Sequence, residues 1–527
     1  MFTANRGRLA LGRWVLPLLV ILAGCAAPVP PSGLSSTPPR ALLVSIIDAG
    51  TGAPIGGARV AVGSADPVRT DEAGRVSVQA VVGAPVEASA SDHDIAMGTV
   101  PGVGDLTISM RFNVVSGMVT GGAGEPLPGV RVFVDGAADF VTTDDAGAYR
   151  LLGVPASGTL VYKVPGHRLG LIPIDESMMK DVSLPAFTAR GLYAPASVFE
   201  RSGRLDEMLA LADRTEVNAM VIDVKEASGK LYWATDLPAA RATGSIMAHP
   251  LLQLETLLPQ LKQRGVYTIA RMVVMKDNTL GTAHPELAVR NTATGEPWRD
   301  GGGAIWLDPF SPGVAEYIAA LAVDLADKGF DEVQLDYVRF YSDGDYARAA
   351  TSLPNTGSFR LPAMRRFFRV VSDALATKRA FLGADVFPIS FIASDDQGIG
   401  QRPEVIMPYV DYFSPMVYPS HYAKGTFGFA VPNDHPYEVI DRTLRIMNAE
   451  RAGLRMVIRP WIQDFGLGDM APYSAAQVQA EMKATRDDAA RGWMIWNARA
   501  NFTVSALGGP LDGEESTPVT VAIQGGS

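Results

Sequence analysis

Gly329-Phe330-Asp331-Glu332-Val333-Gln334-Leu335-Asp336-Tyr337-Val338-Arg339-Phe340 decides the fold. Residues 332–338 are a short, mostly apolar run that ends in charge. An amphipathic stretch, 314–328, precedes it and another, 363–378, follows. Short apolar runs of this length suit strands buried on both faces, and longer periodic stretches suit helices laid over them. The alternation continues in both directions. Further strands are expected at 190–194, 219–224, 267–273, 383–390, 412–417, 455–461 and 492–496. Further helices are expected at 203–214, 252–264, 437–451 and 475–491. Eight strand–helix units in residues 188–507 predict a (β/α)8 TIM barrel. A doubly wound sheet is the alternative. It is disfavoured because no G-x-G-x-x-G or P-loop follows the first strand.

In such a barrel, chemistry collects where the strands end at the C-terminal face. Those ends are dense in charge and aromatics. They carry Asp223, Lys225 and Glu226 on the second strand, Arg271 on the third, and Asp336, Tyr337 and Arg339 on the fourth. Asp385 lies on the fifth, with Asp395 and Asp396 in the loop after it. Tyr418, Ser420 and His421 end the sixth; Arg459, Trp461 and Gln463 the seventh; Trp496 and Asn497 the eighth. A charge inside an apolar strand costs several kcal/mol unless it is paired or used. Asp336 with Arg339, and Asp223 with Lys225, have the competing reading of buried ion pairs that only close the barrel.

Two carboxyl groups on neighbouring strands suit glycosidic bond cleavage. One protonates the leaving oxygen, and the other attacks the anomeric carbon or activates water. The expected pair is Asp336 as nucleophile or base and Asp385 as general acid, with Arg339 keeping Asp336 ionised. Asp223, Lys225, Arg271, Asp396 and His421 are expected to bind substrate. Tyr418, Trp461 and Trp496 offer aromatic faces on which sugar rings stack. No metal or organic cofactor is required: the histidines are scattered, and neither H-E-x-x-H nor G-x-S-x-G occurs. The alternative function is a non-catalytic envelope protein that grips glycan in the same cleft. The loop 275–305, with Trp298 and Gly301-Gly302-Gly303, is a candidate lid.

Upstream, two blocks repeat over 41–112 and 113–187. Pro54-Ile55-Gly56-Gly57-Ala58-Arg59-Val60-Ala61-Val62 matches Pro126-Leu127-Pro128-Gly129-Val130-Arg131-Val132-Phe133-Val134. Thr70-Asp71-Glu72-Ala73-Gly74 matches Thr143-Asp144-Asp145-Ala146-Gly147. Gly/Pro turns joined to alternating Val-rich strands predict two small all-β sandwich modules. They contain no tryptophan; the six of the mature chain all lie beyond residue 189. The modules are therefore read as spacers.

Arg6, Arg8 and Arg13 precede an apolar stretch, 14–22, too short to span a bilayer, and Leu22-Ala23-Gly24-Cys25 follows. Cys25 is the only cysteine, so disulfides within the chain are ruled out. The arrangement resembles a lipoprotein signal peptide over 1–24, with Cys25 lipidated and Ala26 implying outer-membrane sorting in a Gram-negative cell. Residues 25–40 are a Pro/Ser-rich tether and 508–527 a polar, Gly-rich tail. Net charge is −10, and loss of the three leader arginines takes the mature chain to −13. Nothing in that balance suits nucleic acid.

The repeats resemble carboxypeptidase-regulatory-like modules, which act as spacers or adhesive units. Leu335-Asp336-Tyr337-Val338-Arg339-Phe340, Asp385-Val386-Phe387, Asp395-Asp396-Gln397-Gly398-Ile399-Gly400-Gln401 and Asp411-Tyr412-Phe413-Ser414-Pro415-Met416-Val417-Tyr418-Pro419-Ser420-His421-Tyr422 form one ordered set with Asp223-Val224-Lys225-Glu226. Together they resemble the signature blocks of a bacterial glycosyl-hydrolase-like family of otherwise unassigned function. That resemblance spans 189–507 and implies a TIM barrel and a sugar hydrolase. Residues 329–336 also resemble the fourth-strand D-x-x-D-x-D-x-E pattern of chitinase-like barrels. Gln334 and Val338 replace its middle acid and its catalytic Glu. The chitinase mechanism therefore does not transfer.

Overall fold

A computed structural model describes residues 38–510, except 452, 469–471 and 489. Cys25, the leader, nearly all of the tether and the tail beyond 510 lie outside the described residues. The chain divides into two units at Phe112/Asn113.

Each repeat builds the same pair of sheets. In the first, Arg40–Asp48 runs between Arg75–Ala80, antiparallel, and Leu106–Met110, parallel. In the second, Val115–Gly121 runs between Ala148–Leu151 and Val182–Leu184 in the same two senses. A four-stranded antiparallel sheet completes each, centred on Arg59–Val62 with Pro85–Ser89, and on Arg131–Val134 with Thr159–Lys163. The repeated Thr-Asp-x-Ala-Gly turn has a physical basis. Thr70 Oγ1 donates to the Ile55 carbonyl and accepts from Ala58 N; Thr143 Oγ1 does the same with Leu127 and Val130. Gly74 and Gly147 take φ of +71° and +78°, and a Cβ on either would collide with the carbonyl of the neighbouring central strand.

The second module continues into a nine-stranded parallel sheet. Its strands are β1 Ala189–Ala194, β2 Ala219–Lys225, β3 Tyr267–Val273, β4 Glu332–Asp336, β5 Phe381–Val386, β6 Tyr412–Pro415, β7 Val457–Ile458, β8 Trp461–Gln463 and β9 Gly492–Trp496. Their order across the sheet is β7-β6-β5-β4-β3-β2-β1-β9-β8. The two outermost strands are separated only by Arg459 and Pro460. Val417 N, just past β6, donates to the Trp461 carbonyl at 3.0 Å. Both ends of the sheet thus lie on one extended segment, and the sheet curls round upon itself. Proline has no N–H to give the ladder, which is why the expected strand 455–461 appears as two pieces.

Six long helices cover the outside: Arg204–Arg214, Leu254–Gln263, Pro312–Lys328, Gly357–Leu375, Pro436–Glu450 and Ala475–Asp487. Only short helical turns, Ile389–Ile392, Pro403–Ile406 and Met407–Tyr409, connect β5 to β6. Val333 and Leu335 face the helix layer, in the large core. The alternate residues of β4 face inward and form polar layers. Glu332 accepts from Arg459 at 2.5 Å and from the Tyr267 hydroxyl at 3.1 Å. One step up, Gln334 donates to Ser414 Oγ at 3.2 Å. At the C-terminal edge, Asp336 meets Arg271.

The second module is no mere spacer. Its segment 163–169 and Phe187 close the N-terminal opening of the curled sheet. Phe187 and Leu169 pack with Tyr267, Phe381 and Tyr412 in the inward-facing cluster. Gly166 N donates to the Tyr412 hydroxyl at 3.1 Å, and Arg168 to the Gly265 carbonyl at 2.7 Å.

Candidate active site

At the opposite, C-terminal edge the fold gathers three acids around one cation. Arg271 comes from β3, Asp223 from β2, Asp336 from β4 and Asp385 from β5. Arg271 Nη1 donates to Asp223 Oδ1 at 2.5 Å, and Nη2 donates to Asp336 Oδ2. Its Nε has no hydrogen-bond partner and stays 3.9 Å from Asp385 Oδ2. The guanidinium carbon lies 5.1 Å from the centre of the Trp496 ring and 5.5 Å from that of Tyr193, and these two rings are stacked 4.0 Å apart. The Tyr193 hydroxyl donates to Asp223 Oδ2.

The three acids feel this cation unequally. Asp336 also accepts the N–H of Tyr337 at 2.6 Å, and Tyr337 itself takes a left-handed backbone, φ +52°. A bulky residue in that region is strained, and such strain collects at functional sites. Asp385 receives only the Trp461 indole N–H, at 2.7 Å. Burial first, and then the negative Asp336 beside it, push its carboxyl well above the usual range, against Arg271 and the indole. Burial pushes Asp223 up to about 6, against Arg271 and Tyr193.

Above these groups opens a cavity of about 630 Å³. Arg271, Asp336, Arg339, Asp385, Tyr418 and His421 line it, as do Trp461 and Trp496. Phe387, Ile389 and Ile392 add an apolar wall. His421 is tilted against Tyr418 and edge-on to Phe465, and burial lowers its pKa.

Other expected residues fall elsewhere. Asp223 is fully buried beneath Arg271 and reaches the cavity only through it. Lys225 is buried on the far side, donating to the Val273 carbonyl at 2.7 Å and paired with Asp277 at 2.9 Å. The cause is a bulge: Asp223 pairs with Arg271 and Lys225 with Met272, so two residues of β2 oppose one of β3 and the alternation breaks. Asp396 is a loop staple. Arg360 grips it with two bonds of 2.7 Å, and the Gly400 N–H adds one of 3.0 Å. Arg339 does not pair with Asp336; Arg271 holds that position. Nor is 275–305 a loose lid. Trp298 and Trp306 are buried, and their indoles donate to the Asp345 carbonyl and to Asp300.

Tyr193 was missed, although it is the inward aromatic at the end of β1 and period-two reading of 189–194 picks it out. Tyr337 as an amide donor carries no such signal. Among the described residues, no group of three or more His, Cys, Asp or Glu is placed to hold a metal ion.

Residues 191–502 match the family described as "putative glycosyl hydrolase domain". The chain belongs to this family. The curled-sheet unit is accordingly a glycoside hydrolase domain, and glycan is its substrate class. No curated protein matches the chain. Among solved structures, a hypothetical protein from Ruminiclostridium thermocellum is 29% identical over 37% of this chain and 97% of its own, with a TM-score of 0.31. The PgaB glycoside hydrolase domain from Bordetella bronchiseptica is 15% identical over 59% of this chain and 95% of its own, with a TM-score of 0.44.

Proposed function

We propose that this glycosyl hydrolase domain is a (β/α)8 barrel that cleaves O-glycosidic bonds of a cell-envelope or extracellular polysaccharide with Asp336 and Asp385. One observation carries the assignment of roles: a single guanidinium bonds Asp336 directly and leaves Asp385 at 3.9 Å. Asp336, held by Arg271 and the Tyr337 amide, is the carboxylate that attacks the anomeric carbon or takes a proton from the attacking water. Asp385, desolvated and beside that negative charge, keeps its proton and delivers it to the leaving oxygen as the C–O bond breaks. Trp496 and Tyr418 offer ring faces to the sugar. Asp223 and Tyr193 are positioning residues that hold Arg271 in place.

Reducing-end release from a panel of polysaccharides tests this. Hydrolysis by the wild type, with Asp336→Asn retaining binding but not turnover, supports the enzyme. Glycan binding by the wild type with no turnover on any substrate favours a non-catalytic glycan-binding lipoprotein instead. Proton NMR of the first anomer released then separates retention from inversion.

We also propose that Cys25 is lipidated and anchors the protein to the outer membrane. Its support is the lone cysteine behind a basic, apolar leader. In cells fed labelled palmitate, the wild type is expected to carry label and sediment with outer membranes, and Cys25→Ser to do neither. Equal membrane association of the two proteins sinks the anchor.

A further inference from the structure

Six lysines and arginines are buried among the described residues: Lys163, Lys180, Lys225, Arg271, Arg339 and Arg459. Five have a carboxylate within 4.0 Å: Asp411, Asp175, Asp277, Asp223 and Glu332 respectively. Arg339 has none, although only 5% of it is exposed. A desolvated cation without a counter-charge is expensive, and proteins keep one where a ligand supplies the missing charge.

The geometry says what that ligand is. Nη1 of Arg339 is used up, donating to the Phe340 carbonyl at 3.1 Å and to Ser342 Oγ at 2.7 Å. Nε and Nη2 make no bond within the protein. These two N–H groups lie along one edge of the guanidinium plane and form a fork that matches the two oxygens of a carboxylate. Three rings cage the group: Trp306 at 5.1 Å, Tyr337 at 5.0 Å and Phe387 at 4.9 Å. The cage fixes the plane of the guanidinium and keeps its cost of ordering low. Arg339 lines the same cavity as Asp336 and Asp385.

We propose that the cavity accepts a uronic acid residue of the glycan, its carboxylate bound side-on by Nε and Nη2 of Arg339. The inference rests on the glycoside hydrolase reading and specifies the substrate for it. A neutral sugar leaves the fork empty; a uronate fills it next to the bond that Asp336 and Asp385 break.

Carboxyl reduction supplies the matched control, because it turns each uronate into its neutral sugar and leaves the linkages alone. The probes are oligosaccharides of polygalacturonate, alginate and glucuronoxylan, each beside its carboxyl-reduced counterpart. For at least one pair, kcat/KM of the wild type is expected to favour the acidic member by roughly 10–100-fold, the range of a charge-assisted pair. In Arg339→Gln that ratio falls toward one, and Arg339→Lys, with the charge but not the fork, restores only part of it. Thermal unfolding shows that each variant is folded, and the wild-type ratio needs no variant at all. Hydrolysis of neutral and acidic members at equal rates overturns the uronate site and leaves the hydrolase standing. Failure to cleave or bind any glycan, neutral or acidic, removes both.

Discussion

Replacing Asp385 with Asn is expected to lower kcat on a good substrate by about 100- to 10,000-fold, the usual contribution of a positioned general acid. The amide keeps the shape of the carboxyl and its bond from Trp461, so substrate binding survives. The wild-type pH profile carries a second signature. In the proposed role Asp385 works protonated, and burial beside Asp336 raises its pKa well above the ordinary carboxylate value. Activity therefore falls as pH rises through that raised pKa, and Asp385→Asn loses this alkaline limb from whatever activity remains. Stability falls with rising pH as well. A carboxyl whose folded pKa lies above its unfolded one binds more protons when folded. Its contribution is whole below the unfolded pKa and is lost as pH rises through the folded one. Asp385→Asn is thus expected to melt higher than the wild type at neutral and alkaline pH, with little difference in acid. A variant of unchanged turnover, or one that melts lower at pH 8, removes Asp385 from the acid's role.

The strands were legible because both their faces are buried. Runs such as 190–194, 219–224 and 267–273 coincide with β1, β2 and β3 to within a residue, and their ends led to Asp336, Asp385 and Arg271. The partners of those acids were not legible. Arg339 stands three residues from Asp336 in sequence, which made it the natural counter-ion. Yet Arg271, 65 residues away, takes that position, because β3 and β4 pair in a register that sets Val273 beside Asp336. Register between parallel strands depends on the whole curled sheet and leaves no local trace. The bulge at 223–225 is equally silent. Period two puts Asp223 and Lys225 on one face, and a single unpaired residue sends Lys225 to the other side.

Composition misled in a different way at the second module. A small Gly/Pro-rich β unit without tryptophan resembles a spacer whether its turns face water or another domain. Here Lys163-Val164-Pro165-Gly166-His167 is not a free turn but a plug, and only the contacts of its side chains reveal it. The 187/188 boundary read from the repeats therefore divides residues that share one core.

Lys163 makes the strongest test of that plug. Its ammonium is fully buried and donates to the carbonyls of Leu375 at 2.9 Å, Lys378 at 3.3 Å and Ala380 at 2.5 Å. These lie at and just past the end of the helix Gly357–Leu375, where backbone carbonyls lack partners and the helix dipole favours a cation. Asp411 stands 4.0 Å away and the Phe381 ring 5.4 Å. Lys163→Met is nearly the same length and apolar, so packing is kept while several buried acceptors lose their donor. The expected cost is about 3–5 kcal/mol, as when one partner of a buried charged network is removed. Because both sides of the plug depend on this residue, the module and the curled sheet are expected to loosen together, in one transition. Burial also pushes the ammonium down to about 8 from its ordinary 10.5. Between those values the unfolded chain binds more protons than the folded one, so this group makes wild-type stability rise with pH there. Lys163→Met loses that rise. Denaturant unfolding at pH 7 and pH 10 reads both effects. A midpoint shift of less than about 1 kcal/mol, with the pH slope intact, means the ammonium does not hold the two parts together. The module then returns to being a spacer, and a curled-sheet unit beginning at residue 188 has to fold as well alone as with its plug.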